Sequence, residues 1–296
     1  MIGKIATFCK NIFDWLTSDR CFISYFVKAF PLSNNLLLIT LALFVATFNT
    51  LYIGYSLQFG LNIFISAFVL ALFSAAVGAG FCHVVASSIE KRIEDKTFKR
   101  YDIKTTMNLF YSGVGKRTLG FFGGFILLFI IMIVGMMTSL LIANKFICPL
   151  ASLGLDLENL QLVMTNQQAL YEFASQLSKS QIIKLLELFY FINVITPGVI
   201  SFMLMLWVPE YMYTNKNILF SLFTSIKKIF TDFWNIICIY TLIVIGHIFI
   251  AFIFALMPQT SIFLYIGSLL FIYWLIFNIF TIFIYYRDKY VQGWIA

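Results

Sequence analysis

Six continuous apolar stretches dominate the sequence, and each is long enough to cross a membrane as an α-helix. They cover residues 36–58, 61–88, 118–143, 184–208, 233–256 and 261–285. A helix needs about 20 consecutive apolar residues to cross a hydrocarbon core of about 30 Å. A transmembrane β-barrel would instead show short segments of alternating hydrophobicity. The sequence therefore predicts an all-α polytopic membrane protein, with six transmembrane helices in one integral membrane domain over 1–296.

The composition excludes several other classes of protein. Hydrophobic residues make up 61% of the chain and charged residues 11%, whereas soluble domains average about 45–50% and about 25%. A water-soluble enzyme, a nucleic-acid-binding module and a disordered chain are all disfavoured by these values. The five cysteines contain no C-x-x-C pair, and no Cys/His cluster has zinc-ligand spacing. We therefore expect no metal and no other cofactor.

The basic residues indicate how the chain is oriented in the membrane. With six spans, 17 of the 20 Lys and Arg residues share the side of the N-terminus, and only Lys145, Lys179 and Lys184 lie on the other side. Lys and Arg concentrate in cytoplasmic segments of membrane proteins. Both termini are therefore predicted to be cytoplasmic, in the cell inner membrane. The net charge of +7 then favours contact with anionic lipid headgroups over nucleic-acid binding.

Three segments on the basic side are amphipathic rather than uniformly apolar. They are the N-terminal segment 1–35, in which Pro31 is expected to end a short helix, the segment 103–114, and the segment 219–233. Asp102 has the position of a helix cap for the second of these. Apolar residues recur at helical spacing in all three, which is typical of helices that lie in the headgroup region. We expect amphipathic interfacial helices along the cytoplasmic side.

Four basic residues are candidates for contact with lipid headgroups at that side. Lys227 and Lys228 lie on the polar face of the third amphipathic segment, and Lys116 and Arg117 directly precede the third span. Basic residues near an anionic leaflet each contribute about 1 kcal/mol to membrane attraction. Membrane lipids are therefore the first predicted partners, and a membrane-protein partner or a second copy of the chain is an alternative.

The segment 145–183 is the one sizeable region predicted on the opposite side. It is too short to form an independent domain, so we expect it to lie over the outer mouth of the bundle as a cap. Ser178 and Gln181 have capping-box spacing, which predicts the start of the helix that carries the fourth span.

Ionisable residues inside spans are few, and each is therefore a functional candidate. They are His83 in the second span, His247 in the fifth and Glu187 near the outer end of the fourth. Hydrogen-bonded packing is the commoner role for a histidine in a helical bundle. Glu187 follows Lys184 by three positions, so a local ion pair is the simpler interpretation. The lack of buried carboxylates argues against an ion-coupled carrier.

The fourth span also contains a predicted irregularity, and small residues predict close packing elsewhere. Pro197 cannot donate a hydrogen bond to the carbonyl of Asn193, and Gly198 follows it, so the helix is expected to kink there. A kinked helix can line a transport site, although kinks also serve packing. Gly120 and Gly124 give the third span a slim face that favours close helix packing.

The region 196–235 carries a resemblance to a known family. It combines Thr-Pro-Gly-Val-Ile at 196–200, Trp-Val-Pro-Glu at 207–210, a Ser- and Lys-containing stretch at 221–228 and Asp-Phe-Trp-Asn at 232–235. This pattern resembles an uncharacterised six-helix bacterial inner-membrane family, similar to the membrane domain of glycerophosphoryl diester phosphodiesterases. The resemblance implies a six-helix inner-membrane domain. It implies no catalytic residues, since no phosphodiesterase catalytic domain is present.

Three functions remain open on the sequence alone. The first is a non-enzymatic membrane protein that interacts with lipids or a membrane partner, favoured by the basic amphipathic segments. The second is a transporter or channel for an apolar or amphipathic solute, with Pro197 as a hinge. The third is a lipid-modifying membrane enzyme, which would need His83 or His247 in a cavity beside a polar partner. No known catalytic motif occurs in the sequence, so no catalytic residue is predicted.

Overall fold

The computed structural model describes residues 23–58, 62–146, 168, 178–214, 216–258 and 260–291. Apart from turns and short connections, this part of the chain is helical. The helices are α1 (Ile23–Ser33), α2 (Leu36–Gln58), α3 (Ile63–Glu94), α4 (Ile103–Phe146), α5 (Lys179–Tyr190), α6 (Thr196–Leu204), α7 (Trp207–Thr214), α8 (Ile218–Thr231), α9 (Phe233–Leu256) and α10 (Ser261–Tyr286), with π-helical turns at Phe191–Ile195 and Arg287–Val291.

Six helical segments of this part are long and apolar enough to cross a membrane. The prediction of an all-α, multi-pass membrane protein is therefore confirmed. Large apolar side chains such as Phe44, Phe129 and Phe252 are more than half exposed, although a protein in water would bury them. Their exposure is understood if they face lipid, where helix association depends on packing and not on apolar burial.

The third span differs from its predicted form. The amphipathic segment 103–114 is not a separate interfacial helix, because α4 runs without a break from Ile103 to Phe146. Asp102 does cap this helix: its Oδ1 accepts a hydrogen bond from the Thr105 amide at 2.6 Å. The chain between 114 and 118 contains no proline to end the helix, so the amphipathic segment and the apolar span belong to one continuous helix.

Two further predictions concern helix ends. The helix at Ser178 begins as expected, since the Ser178 amide donates to Gln181 Oε1 at 3.0 Å and α5 starts at Lys179. Pro31 does not end α1, which continues to Ser33. The proline ring removes only one backbone donor this close to the end of a helix. The segment 1–22 and most of the cap segment 145–183 lie outside the described residues.

The chain divides into two compact units, one formed by the residues before Ile126 and after Met203, the other by Ile126–Met203. In the first unit, α10 packs against α1, α2, α3 and α9. Its core includes Leu38, Val84, Ile276 and Phe280, all nearly or fully buried. In the second unit, Thr196 Oγ1 donates to Ser139 Oγ at 2.7 Å, and a Cβ at Gly135 would meet Ile200 at 2.6 Å.

Candidate functional site

One face of α4 brings three helices of the first unit close together. Gly113, Lys116, Arg117 and Gly120 follow the spacing i, i+3, i+4, i+7 and therefore share this face. A Cβ at Gly113 would lie 2.5 Å from the Cβ of His83 on α3. A Cβ at Gly120 would overlap the Tyr211 hydroxyl on α7, and Gly124 lies against Trp207. The predicted close packing of Gly120 and Gly124 is confirmed.

These contacts leave an open recess of about 330 Å³ beside the two basic residues of α4. We call it the basic recess, and its lining residues are His83, Lys116, Arg117, Tyr211 and Lys216. Three of the five carry a positive charge, and none of the described lining residues is a carboxylate. The volume lies within the range of sites that hold small molecules. The recess is therefore suited to an anion.

Arg117 has a structural role at the edge of this recess. Its two terminal nitrogens donate to the carbonyl oxygens of Tyr211 and Met212 at 3.0 Å each. These carbonyls belong to the last turn of α7, where backbone acceptors lack partners within the helix. The guanidinium group also lies 5.3 Å from the centre of the Tyr211 ring. Arg117 therefore fixes the end of α7 against α4 and contributes its charge to the recess.

A larger depression of about 800 Å³ lies among α1, the end of α3 and the end of α10. We call it the amphipathic cleft. Its apolar side chains are those of Val27, Pro31, Leu32, Ile89, Ile93 and Ile284, and its charged ones are those of Lys28, Arg92, Lys96, Asp288 and Lys289, beside Tyr25. Four cations against one carboxylate give the cleft a net positive charge. It shares no residue with the basic recess.

The charged residues of the cleft differ in how firmly they are held. Lys28 pairs with Asp288 at 3.3 Å, and Lys289 lies 3.9 Å from Asp232. Arg92 donates to the Phe98 carbonyl at 2.5 Å and so ties down the turn after α3. Lys96 is exposed within that turn. Lys96 has no ion pair in the described structure, and the contact of Lys289 with Asp232 is the longest of the described ion pairs, so these two cations are the ones most readily available to a ligand.

The turn between α3 and α4 is fixed by local hydrogen bonds. The amide and hydroxyl of Thr97 donate to Asp95 Oδ1 at 2.8 and 2.6 Å. These bonds, and the bond to Asp102 from the Thr105 amide, hold the pKa of both aspartates below the ordinary value of 3.8. The Tyr101 hydroxyl donates to the Ser87 carbonyl, and burial raises the pKa of Tyr101. The two carboxylates are thus charged at neutral pH.

A buried ion pair lies where α7, α8 and α10 meet. The Glu210 side chain is 0% exposed, and Lys228 Nζ lies 2.5 Å from its Oε2. The Tyr286 hydroxyl donates to the same carboxylate oxygen, and Lys228 also contacts Tyr286 and the face of the Tyr290 ring. Glu210 Oε1 has no hydrogen-bond partner in the described part of the chain. A buried charge is tolerated in a protein when it is paired in this way.

This ion pair explains why α8 differs from the expected interfacial helix. Ser221 and Ser225 are fully buried, whereas Phe223 and Phe230 on the opposite face are 69% and 62% exposed. The inward face therefore combines these two serines with Leu222 and Ile229, which are also buried, and the aromatic side chains point outward. Lys228 lies on the inward face and is 22% exposed, unlike the expected headgroup contact. Its neighbour Lys227 is exposed.

The two histidines occupy unlike surroundings. His83 lies in the basic recess beside Arg117 and Tyr211, which is the geometry that the lipid-modifying alternative requires. No described residue lining that recess is a carboxylate or thiol. His247 is held within the bundle: its Nδ1 lies 2.8 Å from the Ile243 carbonyl and 3.4 Å from Trp274 Nε1. His247 therefore has the packing role that is common for a histidine in a bundle.

The remaining candidates belong to the second unit. Glu187 and Lys184 are both exposed, and no ion pair joins them in the described structure. The π-helical turn Phe191–Ile195 ends two residues before Pro197, so the helix is irregular where the sequence predicts a kink. Asn193 is exposed, and its side chain donates to the Phe189 carbonyl at 3.0 Å. Gly198 is half-buried in α6. A hinge role for Asn193, Pro197 and Gly198 stays a prediction.

Comparison with protein-family models, curated proteins and solved structures finds no match to this chain. The resemblance over 196–235 therefore stays a prediction. Among the described residues, no group of three His, Cys, Asp or Glu side chains is placed to hold a metal ion. A further pocket of about 410 Å³, which His83 and Arg117 also line, contains Glu90 and Glu94 and so has no excess of positive charge. The basic recess and the amphipathic cleft are the two described pockets with a net positive charge, and they are the candidate sites for an anion.

The sequence analysis did not identify several residues of the basic recess and of the buried ion pair. Tyr211 and Lys216 meet Lys116 only through the packing of α7 on α4, which no local pattern reveals. The glycines at 113 and 120 on the face of Lys116 were a readable signal, because flanking glycines mark a close approach. Glu210 lies two residues beyond the predicted end of the fourth span. Its burial depends on Lys228, which comes from another helix.

Proposed function

We propose that this protein is an integral protein of the bacterial inner membrane that binds anionic phospholipids at its cytoplasmic side. The amphipathic cleft is the observation that carries the proposal. Its apolar side chains suit the upper part of the acyl chains, and its net positive charge suits a phosphate headgroup. The uneven distribution of Lys and Arg supports placing this side, and both termini, in the cytoplasm.

The orientation has its own test. A reporter that works only in the cytoplasm should be active when it is fused after residue 296. A reporter that works only after export should be active when it is fused within 145–183. An exported C-terminus would contradict the proposed orientation.

Lipid binding is tested by native mass spectrometry of the full chain, titrated with phosphatidylglycerol or phosphatidylcholine. The wild type should bind phosphatidylglycerol more tightly. The double variant Lys96→Gln/Lys289→Gln removes two cleft charges, and the one described ion pair that it breaks is that of Lys289 with Asp232 at 3.9 Å. At about 1 kcal/mol for each charge, it should bind phosphatidylglycerol about thirtyfold more weakly.

A matched control separates the cleft from general surface charge. Lys99 and Lys104 are exposed, flank the same turn and line neither the cleft nor the recess. Lys99→Gln/Lys104→Gln should keep the wild-type affinity. Equal affinity of the wild type for the two lipids would contradict the proposal. So would full binding by the Lys96→Gln/Lys289→Gln variant.

A transporter or channel for an apolar or amphipathic solute is the second candidate. The π-helical turn Phe191–Ile195 before Pro197 supports it, since such turns occur often at functional sites. If this turn is a hinge, Pro197→Ala should restore regular helix and reduce solute flux in proteoliposomes while the protein remains folded. An unchanged flux in the Pro197→Ala variant would remove the hinge from this candidate.

A further inference from the structure

We propose that the basic recess is a binding site for a phosphate group, held chiefly by Lys116 and Lys216. This site is separate from the amphipathic cleft, because the two have no lining residue in common. The ligand class is a phosphate or phosphomonoester, whose group is either free in solution or attached to a lipid. The proposal does not depend on lipid binding in the cleft.

The first argument is the charge balance. Five cations of the described first unit pair with carboxylates within 4 Å: these are Lys28, Lys91, Lys228, Arg287 and Lys289. Lys116 and Lys216 have no such partner in the described structure, as is also true of exposed cations such as Lys99 and Lys104. What distinguishes Lys116 and Lys216 is that they converge with Arg117 on one volume. Like charges held together repel one another. A bound dianion would remove this repulsion.

The second argument is that packing holds the recess in shape. Gly113 allows His83 to approach α4 on one side, and Gly120 allows Tyr211 to approach it on the other. Arg117 fixes the last turn of α7 through two hydrogen bonds of 3.0 Å. Lys216 follows that turn and lies 5.0 Å from the centre of the Phe220 ring. Arg117 and Tyr211 are therefore held in place before any ligand binds, which lowers the cost of binding, and the exposed Lys116 and Lys216 border the same space.

The third argument is the chemical character of the lining. Every described lining residue is a cation, a histidine or a tyrosine, so the recess offers N–H and O–H donors and no aliphatic wall. Phosphate groups in proteins are recognised by such donors, with lysine acting as a compact point charge. The amphipathic cleft, by contrast, has aliphatic side chains as half of its lining. An acyl chain fits the cleft and a bare phosphate group fits the recess.

The test uses the full chain in two preparations. In zwitterionic detergent the probe is inorganic phosphate, and in phosphatidylcholine nanodiscs the probe is phosphatidic acid. Binding is measured by calorimetry or native mass spectrometry, with chloride at equal ionic strength as the reference. The variant Lys116→Gln/Lys216→Gln leaves Arg117 and the end of α7 intact. It should weaken phosphate binding by at least about tenfold, while Lys99→Gln/Lys104→Gln should bind like the wild type.

The outcomes identify the source of the phosphate and separate the two sites. Binding of inorganic phosphate alone supports a soluble ligand, and binding of phosphatidic acid alone supports a lipid headgroup. Binding of both, with competition between them, supports recognition of the phosphate group itself. The cleft variant Lys96→Gln/Lys289→Gln should leave inorganic phosphate binding unchanged. Failure of the wild type to bind either probe, or equal binding by the Lys116→Gln/Lys216→Gln variant, overturns the proposal.

Discussion

Loss of Lys228 should strongly destabilise the protein, because Lys228 is the cation that pairs with the fully buried Glu210. The distance of 2.5 Å between its Nζ and Glu210 Oε2 corresponds to a gross attraction of about 7 kcal/mol at an effective dielectric constant of about 20. Much of this attraction offsets the cost of removing both charges from water. Lys228→Met nevertheless leaves a carboxylate that is 0% exposed without its cation, at a net cost of about 3–5 kcal/mol.

The opposite replacement should cost less, which makes the prediction asymmetric. Glu210→Gln leaves the ammonium group of Lys228, which is 22% exposed and can turn toward solvent. The Tyr286 hydroxyl keeps an acceptor in the glutamine side chain. The double variant Glu210→Gln/Lys228→Met leaves no unpaired charge, so it should recover most of the stability lost in Lys228→Met.

The assay is denaturant-induced unfolding of the purified protein in detergent micelles, with helicity and tyrosine fluorescence as probes. A free energy of unfolding is obtained for the wild type, both single variants and the double variant. The reasoning is refuted if Lys228→Met is no less stable than Glu210→Gln. It is also refuted if the double variant is no more stable than Lys228→Met.

Three further predictions concern packing, capping and the C-terminal end of α10. Gly113→Ala should lower the unfolding temperature, since its Cβ would lie 2.5 Å from the Cβ of His83. A Cβ at Gly115 meets nothing within 4 Å, so Gly115→Ala should leave the unfolding temperature unchanged or raise it. Equal effects of the two variants would contradict the close approach of His83 to α4. The pKa of Asp102 lies below 3.8, so its cap should protect the amides in the first turn of α4 from hydrogen exchange at neutral pH. This protection should be lost only as the pH falls through the lowered pKa. Loss of protection already above pH 3.8 would contradict capping by the charged carboxylate. Arg287→Lys should lower the free energy of unfolding, measured with chemical denaturant, by about 1–3 kcal/mol. Arg287 donates two hydrogen bonds to the Glu90 carboxylate, at 3.0 and 3.1 Å, and lysine cannot form both. An unchanged free energy of unfolding would mean that this ion pair contributes little to stability.

The positions of the six spans were predictable because length and hydropathy determine which segments can cross a membrane. The ends of the spans were harder to predict, because a helix continues past its apolar core wherever its polar residues find partners. Glu210 marks this limit in the fourth span. It lies beyond the apolar stretch and is fully buried, since Lys228 neutralises it.

The direction in which amphipathic helices face was also beyond the sequence. In α8 the spacing shows two faces, but which of them packs inward depends on the solvent and on the neighbouring helix. Against α7, the small side chains of Ser221 and Ser225 allow close packing, and the aromatic residues turn outward. The basic recess was predictable only in part. The spacing of Gly113 and Gly120 indicates the closely packed face of α4, whereas the contact with Tyr211 depends on how α7 packs against α4 in the folded protein.

A structure of the full chain in nanodiscs that contain phosphatidylglycerol is the decisive test of lipid binding in the amphipathic cleft. We predict lipid density in the amphipathic cleft among α1, α3 and α10, with a headgroup phosphate within reach of Lys96 and Lys289. The acyl chains should follow Ile89, Ile93 and Ile284. A cleft that is filled by another part of the protein, or that remains without lipid in this membrane, would contradict the account.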